Sequence, residues 1–185
     1  MKNLLIVVDY QKDFVDGALG FPGAELLDEG IAQKILTHEG PVLYTLDTHK
    51  EDYLNTREGR ALPVLHCVEG SDGWQIYGKT GAALKKKGAE SFYIKKGTFG
   101  MSPEELVSSC RFDWPVPEDV ETVELVGLVT NMCVISNAVL LQAKYPQAQI
   151  IVDASLCDSF DKNLHEKALD VMEGMQMKVI RRTGA

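Results

Sequence analysis

Short apolar runs alternate with amphipathic stretches along the whole chain. Most of these runs lack polar residues at alternate positions, which is typical of strands covered on both faces. Strands that alternate with helices form parallel sheets with right-handed crossovers. The pattern therefore predicts a single-domain, three-layer α/β/α fold with a six-stranded, mostly parallel sheet, in the order 3-2-1-4-5-6. The predicted strands are Leu4–Val8, Val42–Leu46, Ser91–Ile94, Thr122–Val126, Ile150–Val152 and Lys178–Ile180.

Helix signals lie between these runs. Ser102–Glu105 forms a capping box with proline at the first helical position. In the last predicted helix the apolar residues fall near one face, at Leu164, Ala168, Val171, Met172 and Met175. The other predicted helices are Ala24–His38 before Gly40-Pro41, Asn131–Lys144 before Pro146, and Asp161–Met175. Thr48–Gly88 is the least regular segment and is too long for a plain connection, so we expect it to have a function. Pro115–Pro117 predicts a surface turn.

Composition narrows the class of protein. The chain has 185 residues, of which 45% are hydrophobic and 25% charged, as in an ordinary globular domain spanning residues 1–185. Its net charge of −8 argues against nucleic acid or an anionic membrane as the main partner. No apolar run approaches the roughly 20 residues of a membrane span. The first residues lack a small-residue cleavage site and predict a strand rather than a signal peptide.

The cysteines indicate a cytoplasmic protein with free thiols. The chain has four, Cys67, Cys110, Cys133 and Cys157, and none of them forms a CxxC motif. Cys67 could serve as a soft ligand beside His66, but a buried thiol is the simpler interpretation. Cys110 and Cys157 have no evident partner.

Reactive side chains follow the carboxyl ends of four predicted strands, where parallel sheets bind ligands. Cys133 lies where a strand turns into a helix, and the positive helix end favours its thiolate. Asp9 follows the first strand and would act as a general base. Lys95 and Lys96 follow the third, and one ammonium would stabilise both charges. The alternatives are a buried small hydrophobe for Cys133, a turn or cap residue for Asp9 and solvated surface lysines.

A second cluster predicts a metal site. Asp47 and His49 are two residues apart in an extended stretch, so their side chains face the same way. Glu58 and His66 follow in the irregular segment. Imidazole and carboxylate groups suit zinc, iron or manganese. The alternative is a turn aspartate with two unrelated histidines.

The remaining histidines, His38 and His165, are expected to be solvated.

These residues together resemble the isochorismatase-like cysteine hydrolases, and within them the nicotinamidase branch. The resemblance covers nearly the whole chain. It implies a catalytic triad of Asp9, Lys96 and Cys133. Lys96 is chosen over Lys95 because the family's lysine commonly precedes a small residue, and strand alternation points only one of the two into the crevice. The motifs that carry the resemblance are Val7–Gly20, Asp47–His49, Leu65–Trp74, Ile94–Gly100 and Gly127–Val134.

The resemblance also implies a divalent metal bound by Asp47, His49 and His66, with Glu58 as the fourth ligand found in some members. Zinc is the first expectation, with iron and manganese as alternatives. Isochorismatases proper lack this metal set, so its presence favours an amidase.

The family further implies a non-proline cis bond at Leu128–Val129, with the backbone N–H groups of Val129 and Cys133 forming an oxyanion hole. Phe14 and Leu19 resemble residues of the family's substrate pocket. The chain departs from the family at Pro63, where several nicotinamidases place an aromatic residue that helps to sandwich the substrate ring. Their paired prolines before the last metal histidine are Val64-Leu65 here. Trp74 and Phe99 are the alternative aromatic walls.

The implied reaction is hydrolysis of a small carboxamide to acid and ammonia through a cysteine thioester, with nicotinamide as the first substrate. The metal would bind and orient the ring nitrogen. A same-fold hydrolase of another amide, or of a ureido or carbamoyl substrate, is the close alternative. A non-enzymatic member and a redox thiol protein are more distant ones. The expected partners are a small-molecule amide and a second copy of the chain in a homo-oligomer.

Overall fold

The computed structural model describes residues 3–108 and 119–181. Within them six strands form one parallel sheet in the order β3-β2-β1-β4-β5-β6, which confirms the predicted fold class. The predicted turn at Pro115–Pro117 lies outside the described residues. The strands are β1 Asn3–Val8, β2 Val42–Asp47, β3 Ser91–Lys96, β4 Thr122–Leu128, β5 Gln149–Asp158 and β6 Lys178–Ile180.

The central strand β1 explains the apolar runs. Leu4, Ile6 and Val8 point into the core on one face of the sheet, and Leu5 and Val7 point into the core on the other. Both faces are covered by helices, so neither set can be polar.

Helices α2 and α4 pack against one face of the sheet, and α6 and α7 against the other. The capping box before α5 is formed as predicted, since Ser102 and Glu105 exchange backbone-to-side-chain hydrogen bonds of 2.6 and 3.1 Å. The helices are α1 Lys12–Val15, α2 Asp28–Thr37, α3 Arg57–Ala61, α4 Gly78–Lys87, α5 Pro103–Ser108, α6 Ile135–Lys144 and α7 Lys162–Gly174.

Helix α4 was not predicted, because its start depends on a distant residue. Glycines and lysines give Gly78–Lys87 a weak local helix pattern, and Tyr77 at its N-cap makes no side-chain capping bond. The carboxylate of Asp28 in α2 instead accepts the backbone N–H groups of Lys79 and Thr80, each at 2.8 Å. The irregular segment is therefore partly helical.

Three elements differ from the prediction by more than two residues at one end. The predicted helix from Ala24 begins as a 3₁₀ turn, Ala24–Leu27, before α2 starts. The predicted helix from Asn131 begins as a π-helical turn, Thr130–Val134. Strand β5 continues to Asp158, because its pairing with β4 shifts register between Leu125 and Gly127 and then resumes.

His165 is buried, so the expectation of a solvated side chain was wrong. The buried face of α7 consists of His165, Ala168, Leu169 and Met172, while Val171 is exposed. The imidazole Nδ1 lies 2.8 Å from Thr130 Oγ1. Burial lowers the pKa of His165.

His38 is half-buried rather than fully solvated, with Nε2 3.3 Å from the carbonyl of Asn3. Burial lowers its pKa as well.

Cys67, Cys133 and Cys157 are free and buried, as expected for free thiols, whereas Cys110 lies outside the described residues. In the described part of the chain, no helix has the length and apolar character required to cross a membrane.

Candidate active site

The candidate site lies where the strand order reverses. Strands β2 and β3 extend the sheet on one side of β1, and β5 and β6 extend it on the other side of β4. The connections at this point run to opposite sides, which opens a crevice at the carboxyl ends of β1 and β4. Asp9 follows β1, Asp47 ends β2, Lys96 ends β3, and Cys133 lies in the turn after β4. The topology alone thus brings the four side chains to one edge of the sheet.

Lys96 lies between the other two predicted triad residues, Asp9 and Cys133, and contacts both. Its ammonium Nζ lies 2.6 Å from Asp9 Oδ2 and 3.7 Å from Cys133 Sγ. The side chain is only 1% exposed, and Nζ also donates to the carbonyl of Thr98 at 3.0 Å. Lys95 instead points to the surface, where it pairs with Glu69 at 2.5 Å.

Asp9 is held from β2. Its Oδ1 accepts a hydrogen bond from the hydroxyl of Thr45 at 2.7 Å, and its backbone N–H donates to Thr45 Oγ1 at 3.1 Å. Its φ of +43° turns the chain sharply at the end of β1. Gly127 gives this turn room, because a Cβ there would lie 2.1 Å from the carbonyl oxygen of Val8.

The π-helical turn presents Cys133. The buried side chain of Asn137 donates to the carbonyl of Cys133 at 2.8 Å and to that of Phe99 at 3.1 Å, so it ties the turn to the loop after β3. The peptide bond Leu128–Val129 before the turn is cis.

Burial controls the protonation of the three groups. It raises the pKa of the Cys133 thiol well above its ordinary value, and the ammonium of Lys96 offsets only part of this. Burial therefore opposes the stabilisation of the thiolate that is expected from the turn. Burial also raises the pKa of Asp9 against the opposing charge of Lys96. Burial lowers the pKa of Lys96, but the charges of Asp9, Cys133 and Asp47 together raise it by more than burial lowers it. The ammonium therefore stays protonated.

Asp47, His49 and His66 form the second cluster. One candidate ligand atom from each lies within 4.8 Å of the others, and all three residues are buried. Asp47 Oδ2 is 3.0 Å from His49 Nε2 and 3.3 Å from His66 Nε2. Glu58 lies at the edge of the cluster, with Oε1 3.9 Å from His49 Nε2.

These donors suit a divalent cation. His66 Nδ1 donates to the carbonyl of Val64 at 2.8 Å, so Nε2, which faces Asp47, is the nitrogen available to a metal ion. Burial lowers the pKa of His66, but its hydrogen bonds, above all the one to Asp47, outweigh this effect, so the pKa lies above its ordinary value. Burial opposes ionisation of Asp47, yet the charge of Lys96 and the imidazoles hold its pKa well below the ordinary value. The cluster therefore favours positive charge.

Two neighbours of this cluster are also perturbed. Burial and the charge of Asp47 raise the pKa of Glu58. Burial, then the charges of Glu58 and Asp47, raise the pKa of Tyr53 to about 12. Cys67 is a buried thiol that lies outside the cluster, as the simpler interpretation held.

A cavity of about 240 Å³ opens onto both clusters. Phe99, one of the two predicted alternatives, contributes to its wall, whereas Trp74 donates from its indole to Thr48 at 2.9 Å and lines a different groove. The cavity is lined by Phe14, Leu19, Asp47, Leu62, His66, Phe99, Val129, Met132, Cys133 and Phe160.

Several site residues were not predicted from the sequence. Gln11 exchanges hydrogen bonds of 2.8 and 2.9 Å with the backbone of Asp47, a pairing between strands that local pattern cannot reveal. Leu62, Met132 and Phe160 enter the cavity wall from three separate segments. The absence of an aromatic residue at Pro63 indicated that the cavity wall differs from that of several nicotinamidases. It did not indicate which residues form the wall instead.

Fold and site together define a class of protein: a parallel α/β sheet whose switch-point crevice holds a cysteine beside an aspartate and a lysine. A family model described as the isochorismatase domain matches residues 3–183, so the chain belongs to the isochorismatase family. No curated protein matches the chain significantly.

Solved structures of similar fold include amidases. The nicotinamidase/pyrazinamidase of Bacillus subtilis is 25% identical, with a TM-score of 0.82 over 98% of this chain and 100% of that one. The pyrazinamidase of Pyrococcus horikoshii, solved in complex with zinc, is 21% identical, with a TM-score of 0.78 over 98% and 99%. The N-carbamoylsarcosine amidase of Thermoplasma acidophilum is 22% identical, with a TM-score of 0.70 over 100% and 99%.

Proposed function

We propose that this isochorismatase-like hydrolase is a cysteine-dependent amidohydrolase that cleaves a small neutral carboxamide, with nicotinamide as the first candidate. One observation carries the proposal: Cys133, Asp9 and Lys96 meet at an apolar cavity whose wall also includes Asp47 and His66. A nucleophile, a base and a set of candidate metal ligands thus lie at the same small cavity.

Asp9 takes the proton of the Cys133 thiol as Sγ attacks the amide carbonyl carbon. Burial raises the pKa of the thiol, so the proton passes to Asp9 as the sulfur attacks rather than beforehand. The negative charge that develops on the carbonyl oxygen is met by the backbone N–H groups of Val129 and Cys133, a contribution often worth about 3 kcal/mol. Lys96 balances the charge passing between Asp9 and Cys133.

In the second half of the reaction, the C–N bond breaks and Asp9 gives its proton to the leaving nitrogen. Ammonia departs and a thioester of Cys133 remains. Water then attacks the thioester carbon while Asp9 takes one of its protons. The C–S bond breaks, the carboxylic acid is released, and the proton returns to the sulfur.

Asp47, His49 and His66 would hold a divalent ion, with Glu58 beside them, and zinc is the first candidate. A bound ion would supply a Lewis-acid contact that orients a ring nitrogen of the substrate. Asp47 keeps its negative charge for this purpose because Lys96 stabilises it.

Cavity size and charge support a small, uncharged substrate. About 240 Å³ is below the range of roughly 300–1,000 Å³ that holds drug-sized ligands. No lysine or arginine contributes to the wall among the described residues, so the carboxylate of a carbamoyl amino acid would find no cationic partner there besides the candidate metal site. A neutral aromatic amide matches the phenylalanines of the wall.

The direct test is ammonia release from nicotinamide by the wild type and by Cys133→Ala. We expect the substitution to lower kcat/KM by at least about 10³-fold. Cys157→Ala removes another buried thiol and should retain wild-type activity, provided that circular dichroism shows both variants folded. Near-wild-type hydrolysis by folded Cys133→Ala would refute the mechanism.

A substrate panel separates the proposal from its closest alternative. Nicotinamide, pyrazinamide, propionamide and an N-carbamoyl amino acid are compared at equal concentration, with metal content measured on the same sample. The proposal requires the ring amides to have the highest kcat/KM. Preference for the carbamoyl amino acid would replace the substrate while keeping the nucleophile. Self-association and a cytoplasmic location stay predictions from the sequence.

A further inference from the structure

The hydroxyl of Tyr53 is buried without a hydrogen-bond partner. Over residues 3–108 and 119–181, only two buried side-chain polar atoms lack one, and the other, Asp9 Oδ2, forms the ion pair with Lys96. Buried polar groups are nearly always satisfied, so an orphaned hydroxyl needs an explanation.

Tyr53 lies against the metal cluster. Its ring centroid is 4.3 Å from that of His49 and 4.9 Å from that of His66, and the side chain is 1% exposed. The carboxylates whose charges reach its hydroxyl are those of Glu58 and Asp47. The ring of Tyr53 therefore lies beside the candidate ligands.

The backbone holds this residue firmly. Tyr53 begins a 3₁₀ turn, its N–H donates to the carbonyl of Lys50 at 3.0 Å, and its own carbonyl accepts both the N–H and the hydroxyl of Thr56, at 2.9 and 2.7 Å. Phenylalanine would fill the same space without burying an unpaired donor. The hydroxyl thus costs stability unless some state of the protein supplies an acceptor.

We propose that Tyr53 is a positioning residue of the metal centre, whose hydroxyl donates a hydrogen bond to the carboxylate of Glu58 when that carboxylate serves as a metal ligand. The inference rests on the metal centre of the proposed function. Glu58 is suited to this role because its Oε1 lies 3.9 Å from His49 Nε2, at the edge of the cluster rather than within it. A hydrogen bond from a neighbouring side chain orients a ligating carboxylate and raises metal affinity.

The test measures metal dissociation constants of the wild type and Tyr53→Phe. Protein freed of metal is titrated with zinc, manganese and ferrous iron in competition with a chromophoric chelator, and its melting temperature is recorded without metal. We expect Tyr53→Phe to weaken binding by about tenfold, the lower end of the effect of losing an outer hydrogen bond to a ligand. The metal-free variant should melt no lower than the wild type, because it loses no hydrogen bond.

Glu58→Ala identifies the acceptor, because it removes both side-chain oxygens of this residue. In that background Tyr53→Phe should change the dissociation constant by less than twofold, since the two residues act as one unit. Tyr44→Phe is the matched control, because it removes a half-buried phenol hydroxyl on β2, outside the Asp47–His49–His66 cluster, and should leave binding unchanged.

Each contrary outcome has a distinct meaning. Equal affinity of the wild type and Tyr53→Phe overturns the inference and leaves the metal centre intact. A tenfold loss that persists with Glu58→Ala overturns Glu58 as the acceptor. A lower melting temperature of metal-free Tyr53→Phe shows that the hydroxyl already has a partner, which also overturns the inference. Failure of the wild type to bind any of the three metals refutes the metal centre of the proposed function itself.

Discussion

A single carboxylate, that of Asp47, connects the two chemical clusters. Its Oδ1 lies 3.3 Å from the ammonium of Lys96, while its Oδ2 faces His49 and His66. Any change at Asp47 therefore disturbs both the candidate triad and the candidate metal site. Substitutions of His49, whose imidazole faces the carboxylates of Asp47 and Glu58, separate the two roles more cleanly.

Phe160 is the residue most directly open to a test of substrate preference. It lies between β5 and α7, is 57% exposed, and packs edge-on against Phe21 with ring centroids 6.3 Å apart. Since its ring forms part of the cavity wall, Phe160→Ala should raise KM for nicotinamide about tenfold, or ~1.4 kcal/mol, with little change in kcat. KM for propionamide should change less than twofold. Steady-state kinetics on both amides measures the contrast.

Leu164→Ala is the control for this prediction. It removes another exposed apolar side chain, four residues further along and outside the cavity wall. Its kinetics should match the wild type for both amides. An equal rise in KM for nicotinamide and propionamide in Phe160→Ala would mean that the ring is not recognised by this wall.

Site residues at the carboxyl ends of strands could be predicted from the sequence. Site residues that reach the crevice from other segments could not. Asp9, Lys96 and Cys133 follow apolar runs, and the topology of a parallel sheet then requires their neighbourhood. Gln11 and Phe160 acquire their places through contacts with segments tens of residues away. No local periodicity carries such information.

At the scale of elements, the start of α4 depends on a cap from another helix. Both carboxylate oxygens of Asp28 accept backbone N–H groups of α4. Asp28→Ala should therefore lower the free energy of unfolding by about 1–2 kcal/mol, the upper part of the range for losing an N-cap side chain. Urea denaturation measures this loss.

Glu29→Ala supplies the comparison for this prediction. Glu29 is the next residue of α2 and forms only an exposed ion pair with Lys79, so its loss should cost well under 1 kcal/mol. Similar losses in both variants would show that the Asp28 cap has no special value.

The whole molecule is assembled from two halves that meet at the pairing of β1 with β4. The first half supplies Asp9, Lys96 and the candidate metal ligands, and the second supplies Cys133 and Phe160. The turn that carries Cys133 is itself anchored within the second half, where Thr130 donates to the carbonyl of Asp158 at 3.1 Å and contacts His165. Stability of this half should therefore depend on the protonation of His165.

Acid should destabilise the fold through His165. Burial lowers its pKa in the folded state below the ordinary value of about 6.5, although Asp158 and Glu166 oppose this shift and Lys162 and Arg181 assist it. The unfolded chain then binds more protons than the folded one as the pH falls below about 6.5, so the free energy of unfolding decreases in that window.

Comparison with His165→Asn isolates this contribution, because asparagine can still donate to Thr130 but does not titrate. Free energies of unfolding are measured by urea denaturation at pH 7.5 and 5.5. The wild type should lose more stability between the two pH values than the variant does, since every other titrating group is common to both. Equal losses would mean that His165 has the same pKa in the folded and unfolded chains, and that its burial against Thr130 does not suppress its charge.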